Sequence, residues 1–433
     1  MQLSYGRTVY VVDGRRTPIL KASGSPGPFS ASDLAVACSR DLLMRHPKAR
    51  ENIQEVVWGC VMPSESEANI SRIIGLRLGL GLGVPAHTVQ RNCASGMQAL
   101  DAAAHRIAQG AADLVLAGGV EAMSRAPVLF GPDAVAWLGG FSRARGRWAR
   151  LRMLAKLRPR MLHPVIALKC GLTDPVVNLN MGQTAEELAY RFQISRRAMD
   201  TFALESHELA ARAQDAGVFD DEITPLYEGV TGKIYAQDNG VRRDSSLEQL
   251  GRLRPAFDRP SGNVTAGNSA QISDGAAALL LASGEAVEQY DLPILGILHH
   301  ISWAALDPAV MGLGPVHAMR DLFDRTEVAV PEIDCFEINE AFAVQVLACL
   351  QAWQDETYMH EVLGRGGCLA PIDKERLNPH GGAVAIGHPV GMTGARIVLH
   401  VLKQLQRMKG RFGVASLCIG GGQGGAALLE RVS

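Results

Sequence analysis

The sequence predicts an α/β protein in which one layout is used twice, because short β-rich runs alternate with helical runs in two separate parts of the chain. The first alternation ends near residue 125, and the second begins after Val264. A short internal echo supports the duplication, since DGAAALLL at 274–281 is similar to GGAALLE at 424–430. With 433 residues, 47% of them hydrophobic, the chain can bury a large core as two or three domains or tightly packed halves.

The individual elements follow from local patterning. In the first part we predict strands at 8–12, 87–91 and 113–117 and helices at 34–44 and 99–108. In the second part we predict strands at 276–281, 292–298, 335–338, 412–418 and 426–430 and helices near 316–324, 340–353 and 394–408. Between them lie a basic segment, helical runs near 184–192 and 196–216, and polar irregular sequence. We therefore expect an N-terminal half at 1–125 and 251–285, an inserted loop domain at 126–250, and a C-terminal half at 286–433.

Composition excludes several classes of protein. Lys and Arg total 43 against 44 Asp and Glu, so no global field attracts nucleic acid. The eight cysteines form no CxxC pair or metal-ligand spacing, which indicates a reducing, cytoplasmic compartment. The N-terminus has no apolar signal core, so we expect no targeting peptide. No apolar run reaches the roughly 18 residues that a membrane-spanning helix needs.

Cys93 is the first candidate for chemistry. The segment QRNCASG at 90–96 places it where an apolar strand gives way to a helical run. Free backbone N–H groups and the positive end of a helix favour a thiolate there, which would lower the thiol pKa. The alternative is a buried structural cysteine, and this segment alone does not decide between the two.

Three further segments carry candidate residues. The segment NPHGGAVAIGHPVG at 378–391 holds His388 between Gly387 and Pro389, where a fixed loop can aim an imidazole as a general base. A solvated loop histidine is the alternative, and His380 is the weaker candidate. The segment LCIGGGQGG at 417–425 ends a strand with Cys418 and a glycine run that fits an oxyanion hole. Only eight residues follow Gly425, too few for a dinucleotide site.

Asn339 lies between a predicted strand and a predicted helix. In the segment NEAFA at 339–343 it could be a plain helix N-cap. Its side-chain amide could equally hold a water or a carbonyl oxygen.

Taken together and in this order, NCASG at 92–96, NEAFA at 339–343, GHP at 387–389 and CIGGGQG at 418–424 resemble the thiolase family. The pair Met181-Gly182, TAGN at 265–268 and DGAA at 274–277 add support, and the similarity covers nearly the whole chain. The resemblance implies two similar α/β halves in five layers, with a loop domain that covers coenzyme A. It also implies coenzyme A as a substrate and no bound cofactor or metal.

The resemblance further implies roles for individual residues. Cys93 would be the acylated nucleophile, His388 its base, and Cys418 the group that moves the second proton. Asn339, through a water, and His388 would stabilise one oxyanion, while the backbone N–H groups of Cys93 and Gly420 would stabilise the other. Substrate contacts would come from Met181, Ala266, Gly267, Asn268 and Ala270.

Departures from the family pattern bear on the substrate. Short-chain biosynthetic members commonly have His where this chain has Asn180 and Ser where it has Ala270, and Asn378-Pro-His380 replaces the usual Asn-x-Asn. We therefore expect a 3-ketoacyl-CoA thiolase of fatty-acid β-oxidation that acts on medium or long chains. The alternatives are an acetyl-CoA acetyltransferase and a non-catalytic binder of acyl-CoA or lipid.

A basic segment stands apart from these motifs. Between Ser142 and Gly171 the chain has nine Lys or Arg residues and no acidic residue. On a helix, Arg152 and Lys156 would share one face, and Pro159 would end or kink it. We predict contact with an anionic membrane surface or a partner through Arg147, Trp148, Arg152, Lys156 and Arg160.

The alternatives for this segment are a solvated arm, an intersubunit contact and a site for coenzyme A phosphates. A similar insert marks the β-subunit of the fatty-acid oxidation trifunctional complex. This resemblance implies a homodimer or dimer of dimers and a hydratase/3-hydroxyacyl-CoA dehydrogenase subunit as partner.

Overall fold

The computed structural model describes residues 5–432, so the prediction for the first four residues lies outside the described part. Its strands are β1 (Tyr10–Arg16), β2 (Leu20–Lys21), β3 (Glu55–Gly59), β4 (Ala86–Val89), β5 (Leu114–Ala122), β6 (Val128–Phe130), β7 (Pro164–Ile166), β8 (Leu226–Tyr227), β9 (Ile234–Tyr235), β10 (Ser273–Ala282), β11 (Gly296–Ala305), β12 (Ile333–Ile338), β13 (Phe412–Ile419) and β14 (Gln423–Glu430).

The helices alternate with these strands. They are α1 (Ala31–Arg45), α2 (Pro47–Glu51), α3 (Ile70–Arg77), α4 (Ser95–Ala108), α5 (Pro132–Arg143), α6 (Arg147–Leu154), α7 (Ala167–Gly171), α8 (Met181–Arg191), α9 (Arg196–Asp215), α10 (Leu247–Gly251), α11 (Gly284–Tyr290), α12 (Gly314–Thr326), α13 (Ala343–Gln354), α14 (Glu356–Glu361), α15 (Ala383–Ile386) and α16 (Val390–Met408). Among the helices of residues 5–432, none combines the length and apolar character needed to span a bilayer.

The main sheet runs in the order β12-β13-β14-β11-β1-β10-β5-β3-β4, with β2 beside β10. Its N-terminal part ends in the parallel strands β5, β3 and β4, and its C-terminal part in the parallel pair β12–β13. The two parts join where β1 pairs antiparallel with β11, at Tyr10 and Ile297. The parallel strands need helical crossovers, and this arrangement agrees with the predicted two-part α/β layout.

Two helices, α4 and α16, lie between the two parts of the sheet. Helix α16 packs against α4 and against strands of both parts, and a central hydrophobic core surrounds the pair. Separate outer cores lie on the far sides, one with α1 and α3 and the other with α12 and α13. The order helix, sheet, helix, sheet, helix confirms the expected five layers. It also brings the N-terminal ends of α4 and α16 close together.

Most predicted elements are confirmed with shifted ends, but the helix predicted at 340–353 begins only at Ala343. Residues 340–342 are not helical, because Ala341 and Phe342 pair with the segment that precedes β10. The Ala270 N–H donates to the Ala341 carbonyl at 3.0 Å, and Ser269 forms an antiparallel bridge with Phe342. The interpretation of Asn339 as a helix N-cap is therefore wrong, since Phe342 precedes the first helical residue.

The basic segment folds as an arm on the surface. Strands β6 and β7 form its base as an antiparallel pair, and α5 and α6 lie between them. Helix α6 ends at Leu154, so the prediction that Arg152 and Lys156 share one helical face is wrong. Pro159 instead starts a separate 3₁₀ turn, Pro159–Leu162, which fits the preference of proline for first helical positions. No residue of α6 is buried.

Candidate active site

Cys93 lies in a tight turn between β4 and α4. Asn92, immediately before it, has the left-handed φ of 43°, which asparagine tolerates better than most residues. The Asn92 side-chain amide donates to the Gly420 carbonyl at 2.8 Å, which ties the turn to the end of β13. The Asn92 backbone carbonyl accepts from the Ser95 hydroxyl at 2.7 Å, which closes the turn itself. As a result, the Cys93 sulfur lies within reach of the Gly420 backbone N–H.

The expected lowering of the Cys93 pKa is wrong. Burial of the thiol raises its pKa, although the backbone N–H groups of Gly420 and of Cys93 itself act to lower it. The negative charge of the buried Glu121 adds a smaller increase. Local sequence shows the helix end and the free N–H groups, but the desolvation that outweighs them comes from the tertiary fold. A neighbouring base must therefore take the proton when Cys93 reacts.

His388 is fixed in one orientation and one tautomer. Its Nδ1 lies 2.7 Å from the Thr393 hydroxyl oxygen, and that hydroxyl donates its only proton to the Pro389 carbonyl at 3.0 Å. Thr393 must therefore accept from Nδ1–H, which leaves Nε2 with its lone pair free. Nε2 is buried without a hydrogen-bond partner among residues 5–432. Burial, and next the charge of Arg396, lower the pKa of His388 to about 3, so the ring is a neutral acceptor.

The loop that carries His388 depends on a glycine. Gly387 has a φ of 106°, and a Cβ added there would lie 2.6 Å from the Ser273 hydroxyl oxygen. This close approach seats the loop against the start of β10, and the His388 N–H donates to the Gln271 carbonyl at 3.2 Å. The first residue of the GHP motif is therefore glycine for a steric reason, because a side chain at position 387 would clash with Ser273.

Cys418 is the second thiol of the site. It lies at the end of β13 and is buried. Burial raises its pKa well above the ordinary value, and the nearby Cys93 sulfur raises it further. Cys418 is therefore a protonated thiol next to Cys93, which suits a proton donor better than a standing nucleophile.

Asn339 lies at the end of β12 with its side chain buried. Neither its amide nitrogen nor its amide oxygen has a hydrogen-bond partner among residues 5–432. A buried amide with both groups unpaired costs roughly 1–3 kcal/mol per group, so such a side chain calls for a water or a ligand. The next residue, Glu340, is bonded to Ser206 and Asn378 and holds the strand end in place.

One cavity of about 400 Å³ unites the three reactive groups. Cys93, His388 and Cys418 all line its wall, although they come from positions far apart in the sequence. Of the five predicted substrate contacts, the residues that also line it are Met181, Ala266 and Ala270.

Gly267 and Asn268 do not reach the cavity wall. The Asn268 side chain instead bonds to the Thr265 N–H and to Asp200, which holds the TAGN segment in shape. His380 does not line the cavity either. Its Nδ1 contacts the His400 ring, which is hydrogen-bonded in turn to Glu222.

Sequence reasoning missed several residues of the cavity wall. The apolar ones include Leu172, Phe257, Met311 and Phe342, and the cationic ones are Lys21 and Arg242. Gly182, a glycine next to a predicted helical run, was a signal that another group approaches the helix closely. That group is the Phe257 ring, which would lie 2.1 Å from a Cβ added at Gly182. Lys21 and Arg242 had no local signal, since a single cation in a sequence is usually an ordinary surface side chain.

The comparisons with known proteins follow the same division of the chain. Residues 9–285 match the family description "Thiolase, N-terminal domain", and residues 292–431 match "Thiolase, C-terminal domain". The chain belongs to the thiolase family. The nucleophile candidate of this thiolase thus lies in the first matched domain, and His388 and Cys418 lie in the second.

Named relatives are similar over their full length. The thiolase is 40% identical to a β-ketoadipyl-CoA thiolase of Pseudomonas aeruginosa, over 98% of this chain and 100% of the relative. It is 35% identical to a 3-ketoacyl-CoA thiolase of Yersinia pestis, over 98% and 97% of the two chains. Human mitochondrial 3-ketoacyl-CoA thiolase in complex with CoA has a similar structure, with a TM-score of 0.83 at 34% identity over 98% of each chain.

Proposed function

We propose that this thiolase cleaves 3-oxoacyl-CoA with coenzyme A to give acetyl-CoA and a shortened acyl-CoA, through an acyl group carried on Cys93. The observation that carries the proposal is the joint placement of Cys93, the unpartnered Nε2 of His388 and the protonated Cys418 on one cavity wall. Each of the three groups has the protonation state that its proposed role requires.

In the first half-reaction, His388 Nε2 takes the Cys93 proton as the sulfur attacks the 3-oxo carbon. The tetrahedral oxyanion accepts from the backbone N–H groups of Cys93 and Gly420. The bond between C2 and C3 then breaks, and its electron pair forms the enolate of acetyl-CoA. That enolate oxygen accepts from the new Nε2–H of His388 and from a water held by Asn339.

Cys418 completes the proton balance. It donates its proton to C2 of the enolate, which releases acetyl-CoA and leaves a Cys418 thiolate. Coenzyme A then enters, gives its thiol proton to Cys418, and attacks the acyl group on Cys93. The Cys93 sulfur leaves and recovers its proton from His388, so every group returns to its starting state.

For the acyl group we propose medium or long chains. The wall beside the reactive groups is mostly apolar, with Leu172, Met311 and Phe342 among its members. Ala270 places an apolar methyl group on the wall. The serine that short-chain members commonly have at this position would place a polar hydroxyl there. The name of the Pseudomonas aeruginosa relative points to a second candidate, a 3-oxoacyl group with a distal carboxylate, and Lys21 and Arg242 are the cationic residues of the wall that favour it.

The test is a thiolysis profile with acetoacetyl-CoA, 3-oxooctanoyl-CoA, 3-oxohexadecanoyl-CoA and 3-oxoadipyl-CoA. We expect kcat/KM for the eight-carbon or sixteen-carbon substrate to exceed that for acetoacetyl-CoA by about tenfold or more, because each buried CH₂ adds roughly 0.8 kcal/mol. A maximum at acetoacetyl-CoA would instead indicate an acetyltransferase, and a maximum at 3-oxoadipyl-CoA the second candidate. No cleavage of any of them would favour a binding protein.

We also propose that the surface arm, residues 126–171, contacts an anionic membrane surface. Eight of its nine cations between Ser142 and Gly171 form no salt bridge within residues 5–432, the exception being Arg160 with Asp133. Large apolar side chains are exposed on the same arm, with Trp148 at 79% and Leu151 at 53%. Exposed cations together with exposed aromatic and aliphatic groups are typical of interfacial binding.

The arm is tested by flotation with vesicles of phosphatidylserine and phosphatidylcholine. We expect the triple variant Arg147→Glu, Arg152→Glu, Lys156→Glu to lose binding by about a hundredfold or more, since each cation near such a surface contributes roughly 1 kcal/mol. The matched control carries Lys48→Glu, Arg212→Glu and Arg252→Glu, three exposed cations outside the arm. Equal binding of the two variants would contradict the proposal.

Several expectations from the sequence stay proposals. These are a cytoplasmic location, a homodimer or dimer of dimers, a hydratase/3-hydroxyacyl-CoA dehydrogenase subunit as partner, and domain limits at 1–125 with 251–285, 126–250 and 286–433. The match of residues 9–285 and 292–431 to two thiolase domains supports the boundary near residue 285, and the exposed arm lies inside the first of these domains.

A further inference from the structure

A carboxyl group is buried beside the reactive residues, and the proposed mechanism does not use it. Glu121 lies near the end of β5, a strand whose nine residues are all buried, and its own exposure is 0%. Burial raises the pKa of Glu121 to about 7. A carboxyl group is costly to bury, so its surroundings should show what it is held there to do.

The Glu121 oxygens connect two segments of the chain. One oxygen accepts from the Val61 N–H at 2.9 Å and the Gly391 N–H at 3.1 Å, and the other accepts from the Met62 N–H at 3.0 Å. Val61 and Met62 follow β3 in the N-terminal half. Gly391 lies in the first turn of α16, three residues after His388. All three donors are backbone groups, so the contacts fix main-chain positions.

Around Glu121 the backbones of β5, α4 and α16 pack directly against one another. A Cβ added to Gly391 would lie 2.3 Å from the Val120 carbonyl oxygen and 2.7 Å from a Glu121 oxygen. A Cβ added to Gly119 would lie 2.1 Å from the Gly391 carbonyl oxygen and 2.7 Å from the Gly96 Cα. The starts of α4 and α16 thus meet over β5 with no side chain between them. The helix that follows Cys93 and the helix that follows His388 are located by this contact.

A carboxylate also suits the electrostatics of this position. The first turn of α16 is the positive end of the helix dipole, which stabilises a negative charge. The Cys60 thiol adds a weak contact to Glu121 at 3.7 Å.

We propose that Glu121 is a positioning residue, which ties the first turn of α16 to the loop after β3 and thereby keeps the His388 imidazole within reach of Cys93. The inference rests on the proposed role of His388 as base. The Glu121 carboxyl group is fully buried and accepts from three backbone N–H groups, so it acts through the position of His388.

The test is Glu121→Gln, measured by thiolysis of 3-oxooctanoyl-CoA. A glutamine keeps the size of the side chain, but its NH₂ group would face a backbone N–H that now donates to a carboxylate oxygen. We expect kcat to fall about 10² fold, the usual cost of a misplaced catalytic group, while KM changes by less than about threefold. The matched control is Glu67→Gln, since Glu67 is also buried and accepts from the Ser32 backbone N–H at 2.8 Å, away from the cavity.

A double-mutant cycle separates positioning from a general loss of structure. In a His388→Ala background we expect Glu121→Gln to cost less than about threefold, because the group that it positions is gone. An equal fold-loss in both backgrounds, or an unchanged kcat in the single variant, would overturn the proposal. Should Glu121→Gln not fold, Glu121→Asp carries the same cycle, since it keeps the charge but is too short to reach both segments. Full activity of His388→Ala alone would instead overturn the role of His388.

Discussion

The variant Cys93→Ala is expected to form no acyl-enzyme and to slow thiolysis by a factor on the order of 10⁴ or more, as is usual when a covalent nucleophile is removed. Cys418 lies in the same cavity but cannot replace it, because its burial, the largest cause of its raised pKa, remains when the Cys93 sulfur is gone. The measurement is the initial rate of thiolysis together with the intact mass of the protein after mixing with 3-oxooctanoyl-CoA. Wild type should gain the mass of one six-carbon acyl group.

Two other cysteines sharpen the comparison. Cys38→Ala is the matched control, since Cys38 is a fully buried thiol in the outer core and does not line the cavity. We expect it to cost stability and leave the rate nearly unchanged. Cys418→Ala should keep the nucleophile but lose proton donation, which typically costs about 10² to 10⁴. An acyl group found on a residue other than Cys93 would contradict the proposed mechanism.

The motifs foretold the reactive residues because each combines a reactive side chain with local backbone constraints. Gly387 and Pro389 flank His388, and the glycine run follows Cys418, so the sequence itself showed two fixed loops. The protonation states of Cys93 and His388 could not be predicted from the sequence. Whether Cys93 is a thiolate depends on the balance between N–H groups and desolvation, and desolvation is a property of the packed site.

The fold shows the same division. Alternating patterns located most strands and helices, because periodicity is local. The non-helical conformation of residues 340–342 was missed, because it comes from pairing with Ser269 and Ala270 some seventy residues earlier. The role of Glu121 was missed for a similar reason. A glutamate in a buried strand is unusual, but its donors come from β3 and α16, whose approach only the sheet order determines.

The arm shows a limit of helical-face reasoning. Charge counting found the exposed cations, and the fold agrees that they lie on the surface. The spacing of Arg152 and Lys156 suggested one helix, but α6 is only eight residues long and ends before Lys156. Short isolated helices are marginal without tertiary packing, and no residue of α6 is buried to supply it.

His388→Ala is expected to lower the thiolysis rate by about 10² to 10⁴, the usual contribution of a positioned general base. The structure adds a pH signature. The pKa of His388 is lowered to about 3, so the ring stays neutral from pH 5 to pH 8 and should give no acidic limb in that range. The pKa of Cys93 is raised, so the thiolate fraction without a substrate should grow as the pH rises through the alkaline range.

Both predicted pH dependences, that of His388 and that of Cys93, can be measured by alkylation of Cys93 with iodoacetamide between pH 5 and pH 10. For wild type the rate should rise with pH, with a midpoint above the ordinary thiol pKa of about 8.5. Thr393→Val should reduce thiolysis about tenfold, because loss of the acceptor for Nδ1–H frees the ring to adopt the wrong tautomer. The matched control for His388→Ala is His317→Ala. The His317 ring contacts the Tyr358 hydroxyl at 2.8 Å and does not line the cavity.

Two outcomes would contradict this description of the base. An inflection near pH 6.5 that disappears in His388→Ala would mean that the histidine titrates normally, as a solvated ring does. Alkylation that is already maximal at pH 6 would mean that Cys93 is a standing thiolate. Either result would require burial of the site to be weaker than the fold shows, because desolvation is the largest cause of both shifts.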